Sequence, residues 1–502
     1  MARSTQLAIA LSILSVAARV IWIDEPYIDT WSWRQSDVAA IARNYFENGF
    51  HFAHPQIDWA GSEPGYVGTE FPLQPFVAAL VYKLVGVHEA IGRFETLILF
   101  AISLPFFFLL VRELFGATAA VWALFFYGFA PLSLFAGREF MPDAPSLSFS
   151  LLGLYFFKRW IDNERVGFLF AAACAILLSI LIKAPNAIIG VPLAYMVVAG
   201  IDDLGRHRRC RLQLALFAVI ALVPVIIWYG HASTIAQKFY PHHFFGSGGV
   251  RIVSASAYER IAVFTITSSL TPVLVSLVFA GVLVTRSSRL RSERDWHKGY
   301  GATGGRIFQW WLGAMLLFII VAGKGNRHPW YQLPLVPISA VFAGAACAFA
   351  AEKLGSRRAK AVLSVVLVFL FSGAAFYYLL PFYRPWASHL RAAGLELKHT
   401  SPQNALIIAA DHGDPTLFYY AERRGWHLPE KDAIYNGDPA GAEQLIDDVA
   451  HLRAAGATHV VFVSTTFWFL DRFPSFAQYL AQTARLSEKT AQFAIYELKP
   501  KE

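Results

Sequence analysis

The chain has 502 residues, of which 56% are hydrophobic and 16% are charged, and its mean hydropathy is +0.44. Soluble domains carry charge on about a quarter of their residues. The composition therefore excludes an ordinary soluble protein and predicts a polytopic α-helical membrane protein.

Apolar runs of about 17 to 25 residues, the length that crosses a bilayer as a helix, recur along most of the chain. They predict about eleven membrane spans, near residues 5–23, 95–111, 118–136, 145–157, 166–182, 186–200, 212–229, 263–285, 307–322, 334–351 and 361–381. The first run has the length of a signal peptide but lacks a small-residue cleavage site, so we expect it to be retained as a helix.

Basic residues collect in one alternate set of the predicted loops. Since short basic loops stay on the cytoplasmic side, we expect this set and the N-terminus to be cytoplasmic. The net charge of +8 then reflects topology and implies no nucleic-acid partner. The set contains Arg112, Lys158, Arg159, Arg165, Arg206, Arg208, Arg209, Arg211, Arg286, Arg289, Arg291, Arg294, Lys298, Arg306, Lys353, Arg357, Arg358 and Lys360.

The opposite side of the membrane receives every segment whose residues suggest chemistry. Polar residues scattered without a common role would not all fall on one side, so we predict a functional site at that surface. The segments are residues 24–93, Arg138–Asp143, the corner at Lys183, residues 230–262, Gly323–Tyr331 and the C-terminus from about residue 381.

The first of these segments predicts two amphipathic helices. Ser36 is a candidate N-cap for a helix over Asp37–Phe46, whose apolar face carries Val38, Ile41, Ala42 and Tyr45. Glu70-Phe71-Pro72 precedes the second helix. We expect the first helix to lie along the membrane interface, where it can contact membrane lipids.

From about Tyr383 the charge rises and short apolar runs alternate with helical patterns. We therefore predict a membrane domain over residues 1–382 and a small soluble α/β domain over residues 383–502, with strands near 405–409, 458–463 and 492–498. Asp411-His412-Gly413-Asp414-Pro415 follows the first strand and is interpreted as a turn with helix-capping acids. No nucleotide-binding motif is present in the sequence.

The order and sidedness of the outer motifs resemble those of GT-C glycosyltransferases of the protein O-mannosyltransferase and aminoarabinose-transferase type. The motifs are the first outer helix with its acids, Glu70-Phe71-Pro72, the acid in Arg138–Asp143, Lys183-Ala184-Pro185-Asn186 and His328-Pro329-Trp330-Tyr331. The likeness covers about residues 1–380. It implies an inverting transfer of a sugar from a polyprenyl-phosphate donor to an acceptor at the periplasmic face of a bacterial-type inner membrane.

The catalytic acid does not transfer directly from the family pattern. Matching Ile41-Ala42-Arg43 to the family puts the usual first-loop aspartate near Arg34, and the nearest carboxylates are Asp29 and Asp37. A hydroxyl acceptor needs a general base, and we favour Asp37 for this role, with Asp29 second and Asp143 as a further candidate. The alternative is that Asp37 only stabilises the N-terminus of its helix.

The departing donor phosphate needs cations and hydrogen-bond donors rather than a protonating acid. A lysine of the aminoarabinose-type enzymes is Phe71 here, so other residues must serve. Arg138 either contacts the donor or pairs with Asp143. The predicted substrate-binding residues are Arg34, Glu70, Arg138, Lys183, Lys324, Arg327, His328 and Tyr331.

The resemblance also implies a divalent metal near Glu70 and a loop histidine. Glu70, His242 and His243 offer carboxylate and imidazole ligands for it. The alternative is that Tyr240–Phe245 forms an aromatic belt at the membrane interface, with polar tips.

Two other classes of function use the same fold. A transporter or flippase for lipid-linked glycans would show related halves or interrupted helices in matching positions, and no convincing repeat is found in the sequence. A non-catalytic glycan-binding subunit would not require Asp37, Glu70 and Asp143 together. The sequence favours a transferase, and it leaves open the sugar and whether the acceptor is a lipid, a glycan or a protein.

Overall fold

The computed structural model describes residues 3–199, 208–246, 248–286, 304–430 and 437–500. The chain forms two compact units. The helical unit contains residues 1–23, 93–228 and 246–380, and the mixed unit contains residues 24–92, 229–245 and 381–502. Among the basic residues predicted to be cytoplasmic, Arg206, Arg289, Arg291, Arg294 and Lys298 lie outside the described ranges.

Helices make up most of the described chain, and all five strands lie near its C-terminus. The α-helices are α1 (Arg3–Val20), α2 (Ser32–Asn48), α3 (Leu73–Val85), α4 (Glu89–Phe115), α5 (Ala117–Phe129), α6 (Pro131–Ala136), α7 (Asp143–Asn163), α8 (Val166–Ile182), α9 (Gly190–Ala199), α10 (Arg208–Lys238), α11 (Ala255–Phe264), α12 (Pro272–Arg286), α13 (Gly304–Val321), α14 (Leu335–Lys353), α15 (Arg357–Leu379), α16 (Ser388–Thr400), α17 (Thr416–Ala421), α18 (Ala442–Ala454), α19 (Trp468–Arg472) and α20 (Pro474–Thr483). The strands are β1 (Leu406–Ala410), β2 (Arg424–His427), β3 (His459–Val463), β4 (Ala484–Lys489) and β5 (Phe493–Leu498).

The predicted count of about eleven spans is not confirmed. In the described residues, four helical stretches are long and apolar enough to cross a membrane, at Glu89–Phe115, Arg209–Lys238, Leu335–Lys353 and Arg357–Thr400. A fifth span results if Ala255–Leu270 and Pro272–Arg286, which meet at a bend of 95°, are taken together. Several other apolar runs form helices of 10–17 residues, which by length alone fall short of a full span.

Small residues let the helices of the helical unit approach closely. Helix α14 is buried from Leu335 to Ala348 and packs against α5 and α12. A Cβ atom on Gly281 of α12 would lie 1.9 Å from the Phe342 carbonyl oxygen, and one on Gly344 would lie 2.4 Å from that of Ala119. Glycine is therefore needed at both helix contacts, as is common where membrane helices pack.

The strands form one mixed sheet in the order β2-β1-β3-β5-β4. Strands β2, β1 and β3 are parallel, and β5 is antiparallel to both of its neighbours. The predicted strands β1, β3 and β5 are confirmed, whereas β2 and β4 were not predicted. The domain boundary at 382/383 stays a prediction, because the mixed unit is defined by compactness and also contains residues 24–92.

Alternate residues of the sheet supply two cores, one on each face. Ile408, Val460 and Phe462 pack with α18 and α20 on one face. On the other face, Ile407, Ala409, Val461 and Ile495 share a core with α2, α16 and α17 through Ile41, Tyr45, Leu390, Leu397, Leu417 and Phe418. Each fully buried Ile, Leu, Val or Phe side chain of these cores contributes about 1.5–3 kcal/mol. The segment 24–92, which lies between α1 and α4 in the sequence, thus contributes to the core of the α/β fold.

The predicted start and environment of α2 are wrong in detail. The helix begins at Ser32 rather than after Ser36, and the Ser36 hydroxyl lies 3.0 Å from the Thr416 hydroxyl instead of capping the helix. Nearly every residue from Ser32 to Tyr45 is buried, so α2 does not present one apolar and one exposed face. Hydrogen bonds between polar groups offset the cost of this burial. Arg43, for example, donates to Asp58 at 2.5 Å and to the Tyr419 carbonyl at 2.6 Å.

Candidate active site

Asp29 holds the start of α2. Its carboxylate accepts a hydrogen bond from the Trp31 amide at 2.8 Å and two from the Gln35 side-chain amide at 2.9 and 3.0 Å. The Ser32 amide also donates to the Asp29 carbonyl at 3.1 Å. These contacts give Asp29 a structural function at the beginning of the helix.

Arg34 and Glu70 form a buried ion pair in the mixed unit. One guanidinium nitrogen of Arg34 donates to both Glu70 oxygens at 2.8 Å, and the Thr69 hydroxyl donates to the same carboxylate at 3.1 Å. The guanidinium also lies over the Phe245 ring, 4.5 Å from its centroid. Because loss of one partner strands a buried charge, removing either side chain of such a pair typically costs about 3–5 kcal/mol.

Asp37 is buried close to that pair along α2. Only 3% of the residue is exposed, and its carboxylate accepts a hydrogen bond from the Trp59 indole at 3.0 Å. Burial raises the pKa of Asp37 to about 7, against the opposing effects of the Trp59 hydrogen bond and the positive charge of Arg34. A carboxylate with a pKa near the working pH is suited to general-base catalysis.

Two residues of the C-terminal sheet and its loops, Asp414 and His427, lie near the same part of α2. Asp414 accepts a hydrogen bond from the Ser32 hydroxyl at 3.0 Å, and burial raises the pKa of Asp414 to about 6. The Trp59 ring packs against His427, whose Nδ1 lies 2.8 Å from an Asp411 oxygen. Sequence pattern does not identify His427 as a site residue, because β2 is only four residues long. The motif at Asp411–Pro415 is recognisable in the sequence as a turn, but its proximity to α2 depends on tertiary packing.

The loop Tyr240–Phe245, which carries His242 and His243, lies beside the segment that contains Gly68 and Glu70, and in the part of the chain that the structure describes the two do not form a metal site. The Gly68 amide donates to the His243 carbonyl at 3.0 Å, and the Phe245 amide donates to the Gly68 carbonyl at 2.8 Å. The His243 ring packs against Trp59 and Phe245, and the His242 Nδ1 lies 3.2 Å from the Ala236 carbonyl. Among the described residues, no group of three His, Cys, Asp or Glu side chains could hold a metal ion.

A second group of predicted residues lies in the helical unit. Lys183 is 3.4 Å from Asp143, both side chains are buried, and the ammonium lies 4.9 Å from the centroid of the Tyr331 ring. A small cavity adjoins Asp143, Lys183, Asn186, Trp330 and Tyr331. The Asn186 side-chain amide donates to the Ser146 hydroxyl at 2.6 Å, and the Asn186 backbone amide donates to the Lys183 carbonyl at 2.9 Å. The corner that carries Lys183 is therefore rigidly held.

The other predicted cations of the helical unit differ in exposure. Arg138 is fully buried and donates to Glu139 at 2.9 Å, and Arg93 lies 3.5 Å from the same carboxylate. Lys324, Arg327 and His328 are exposed, and the His328 ring stacks on Trp330 with 4.6 Å between centroids. The exposed cations are accessible to an anionic ligand, whereas Arg138 belongs to a buried charge cluster.

A family model described as dolichyl-phosphate-mannose-protein mannosyltransferase matches residues 64–228. No curated protein sequence matches the chain. The fold is similar to that of ArnT from Cupriavidus metallidurans bound to undecaprenyl phosphate, with 15% identity, a TM-score of 0.64, and coverage of 99% of this chain and 100% of ArnT.

Two oligosaccharyltransferase structures from Archaeoglobus fulgidus are also similar. AglB in complex with an inhibitory peptide and a dolichol-phosphate has 13% identity and a TM-score of 0.64, over 99% of this chain and 74% of AglB. The enzyme in complex with zinc and sulfate has 14% identity and a TM-score of 0.63, over 95% of this chain and 69% of the other.

These comparisons show the fold of the chain. It is a helical membrane protein whose fold is similar to that of ArnT and of the archaeal oligosaccharyltransferases. The resemblance that the sequence motifs indicate is thereby confirmed.

Proposed function

We propose that the protein is a membrane glycosyltransferase that moves a sugar from a polyprenyl-phosphate donor to an acceptor hydroxyl with inversion. The observation that carries the proposal is the buried Asp37, hydrogen-bonded to Trp59 and with a pKa of about 7. The fold adds support, since its relatives include ArnT bound to undecaprenyl phosphate and AglB bound to a dolichol-phosphate.

In the proposed reaction, the acceptor oxygen forms a bond to the anomeric carbon from the side opposite the donor phosphate. The bond between that carbon and the phosphate oxygen breaks, and its electron pair leaves with the phosphate. Asp37 accepts the hydroxyl proton as the bond forms. Lys183, with Lys324 and Arg327, supplies positive charge to the donor phosphate, and His328 is a candidate hydrogen-bond donor.

The divalent metal implied by the resemblance has no step in this proposal. Glu70, its expected carboxylate ligand, is already bound at both oxygens by Arg34, and the His242 and His243 side chains have other contacts. The residues present therefore do not fit the expected metal site. Arg34 supplies at Glu70 the positive charge that a metal would have contributed.

The donor class can be tested without knowing the acceptor. Protein purified in detergent should carry a polyprenyl phosphate or its sugar-linked form, which mass spectrometry of the extracted lipids would identify. A Lys183→Ala preparation treated in parallel should carry less of it. Wild-type protein that carries only bulk phospholipids, even after incubation with polyprenyl phosphate, would contradict the proposed donor.

We also propose that the site and the C-terminal residues face the periplasm of a bacterial-type inner membrane. The bias of basic residues in the alternate loops supports this orientation. An alkaline phosphatase fused after Glu502 is expected to be active, and a fluorescent protein that matures only in the cytoplasm should stay dark at the same position. The reverse pair of results would overturn the orientation.

A further inference from the structure

We propose that the segment Asp411–Thr416, which is the loop after β1 together with the first residue of α17, is a positioning element that fixes the first turns of α2 and thereby sets the position of Asp37 and the charge beside it. This inference rests on the proposed function, because Asp37 is the base only in that reaction. It gives the segment that follows β1 a direct part in the site, through Asp414 and Thr416.

Two hydrogen bonds join the loop to successive turns of α2. The Ser32 hydroxyl donates to Asp414 at 3.0 Å, and the Ser36 and Thr416 hydroxyls lie 3.0 Å apart. Residues four apart project from the same face of a helix, so these bonds fix both the rotation and the axial position of α2. Asp37 follows Ser36 directly, and a shift of that turn would move its carboxylate.

The loop is itself rigid where it contacts α2. The Asp414 carboxylate accepts a hydrogen bond from the Thr416 amide at 2.9 Å, and Asp411 accepts one from the Gly413 amide at 3.0 Å. Ser36 and Thr416 are fully buried and Asp414 is partly buried, which limits competition from bulk water at these bonds. The contact therefore has the properties of a fixed support rather than a surface encounter.

The sheet also holds the partner of Asp37 on its other side. Trp59, which donates to Asp37, packs on His427 at the end of β2. The Gly425 amide donates to the Asp58 carbonyl at 3.0 Å, and the Gly61 amide donates to the Gly425 carbonyl at 2.7 Å. These backbone bonds hold the segment that contains Trp59 against β2. Trp59, the hydrogen-bond partner of Asp37, is thus held by the C-terminal sheet, and the turn of α2 that precedes Asp37 is held by Thr416.

Charged groups from three elements act on Asp37. Arg34 of α2 and His427 of β2 favour its ionised form, whereas Asp414 of the loop opposes it. Glu70 faces Arg34, and Asp411 faces His427, so each of these carboxylates is already paired. Since the pKa of Asp414 is about 6, this residue is mainly ionised at neutral pH and adds to the rise in the pKa of Asp37 caused by burial.

The test compares the pH dependence of turnover in full-length Asp414→Asn and wild-type protein, with a polyprenyl-phosphate sugar as the donor. Removing the Asp414 charge lowers the pKa of Asp37, so the acidic limb of the kcat profile is expected to move to lower pH. Thr416→Val should lower kcat by roughly 10- to 100-fold with little change in donor KM, and Thr416→Ser should restore it. Asp448→Asn is the matched control, because burial also raises the pKa of Asp448 to about 6, but this residue lies on α18 and accepts from the Glu430 amide.

An acidic limb that stays at the wild-type pH in Asp414→Asn, in protein that remains folded, would overturn the proposal. The same conclusion follows if Asp448→Asn moves the limb equally, since the effect would then be unspecific. If Asp414→Asn does not fold, Ser32→Ala removes the same hydrogen bond and is expected to lower kcat, and a wild-type kcat would refute the positioning. Full activity in Asp37→Asn would instead refute the proposed base, which separates failure of the function from failure of this inference.

Discussion

Replacing Asp37 by Asn is expected to lower turnover by a factor on the order of 10² to 10⁴, while the donor still binds. The amide keeps the size of the side chain but cannot take the acceptor proton. The measurement is the single-turnover transfer rate at saturating donor and acceptor, together with donor affinity measured separately. Retention of most of the wild-type rate would show that Asp37 is not the base.

Stability separates this effect from a structural one. The pKa of Asp37 is raised from 3.8 to about 7 in the folded protein, so folding disfavours the ionised side chain. The resulting destabilisation is absent below the unfolded pKa, grows as the pH rises between the two values, and is complete above about 7. Asp37→Asn should therefore be at least as stable as the wild type at pH 8, despite its loss of turnover.

Asp29→Asn provides the matched comparison in the same segment. Asp29 binds the Trp31 amide and the Gln35 side chain at the start of α2, so its replacement is expected to lower thermal stability more than the rate of transfer. Loss of turnover in Asp29→Asn with full activity in Asp37→Asn would assign the base to the residue before the helix.

Replacing Lys183 by Ala is expected to weaken donor binding by about 1–3 kcal/mol, or roughly 5- to 150-fold, as for loss of a charge-assisted contact. The ammonium is buried 3.4 Å from Asp143 and faces the Tyr331 ring, in a corner held by Asn186 and Ser146. The equilibrium affinity for a polyprenyl phosphate, measured in detergent micelles, tests this expectation. Arg327→Ala should also weaken binding, since this exposed guanidinium can reach an anionic ligand.

A double variant controls for the loss of stability that follows when Asp143 is left buried without the positive charge of Lys183. In Lys183→Ala/Asp143→Asn the buried carboxylate is neutral, so the fold should be recovered while donor binding stays weak. Recovery of donor affinity in the double variant would show that Lys183 serves only to neutralise Asp143. Unchanged affinity in both Lys183→Ala and Arg327→Ala would move the phosphate site elsewhere.

The sequence predicts those parts of the fold that depend on local pattern. Strands β1, β3 and β5 are short apolar runs bounded by turns, and both their type and their position follow from that pattern. The number of spans does not follow in the same way, because bends interrupt apolar runs. The chain turns by 95° at Thr271, whose φ of 86° is unusual for a β-branched residue, and a second interruption occurs where α6 begins at Pro131.

The surroundings of α2 depend on partners that are remote in sequence. A preference of serine for N-caps predicts a start at Ser36, but Asp29 fixes the helix a turn earlier, and Ser36 binds Thr416 instead. Arg43 is neutralised by Asp58, which lies beyond the helix in a turn-rich segment. The sequence predicts Asp37 as an acid near the start of a helix, whereas its burial by Trp59 and the C-terminal sheet is evident only from the structure.

The most direct test of the central claim is transfer of a labelled sugar from a polyprenyl-phosphate donor by purified protein in detergent, with a cell-envelope extract as the source of acceptor. The account predicts a labelled product with wild-type protein, and little or none with Asp37→Asn at equal donor occupancy. Equal product formation by wild-type and Asp37→Asn protein would contradict the assigned base. Donor binding without transfer by wild-type protein, with every acceptor fraction of the extract, would contradict the enzyme itself and favour a binding or transport function.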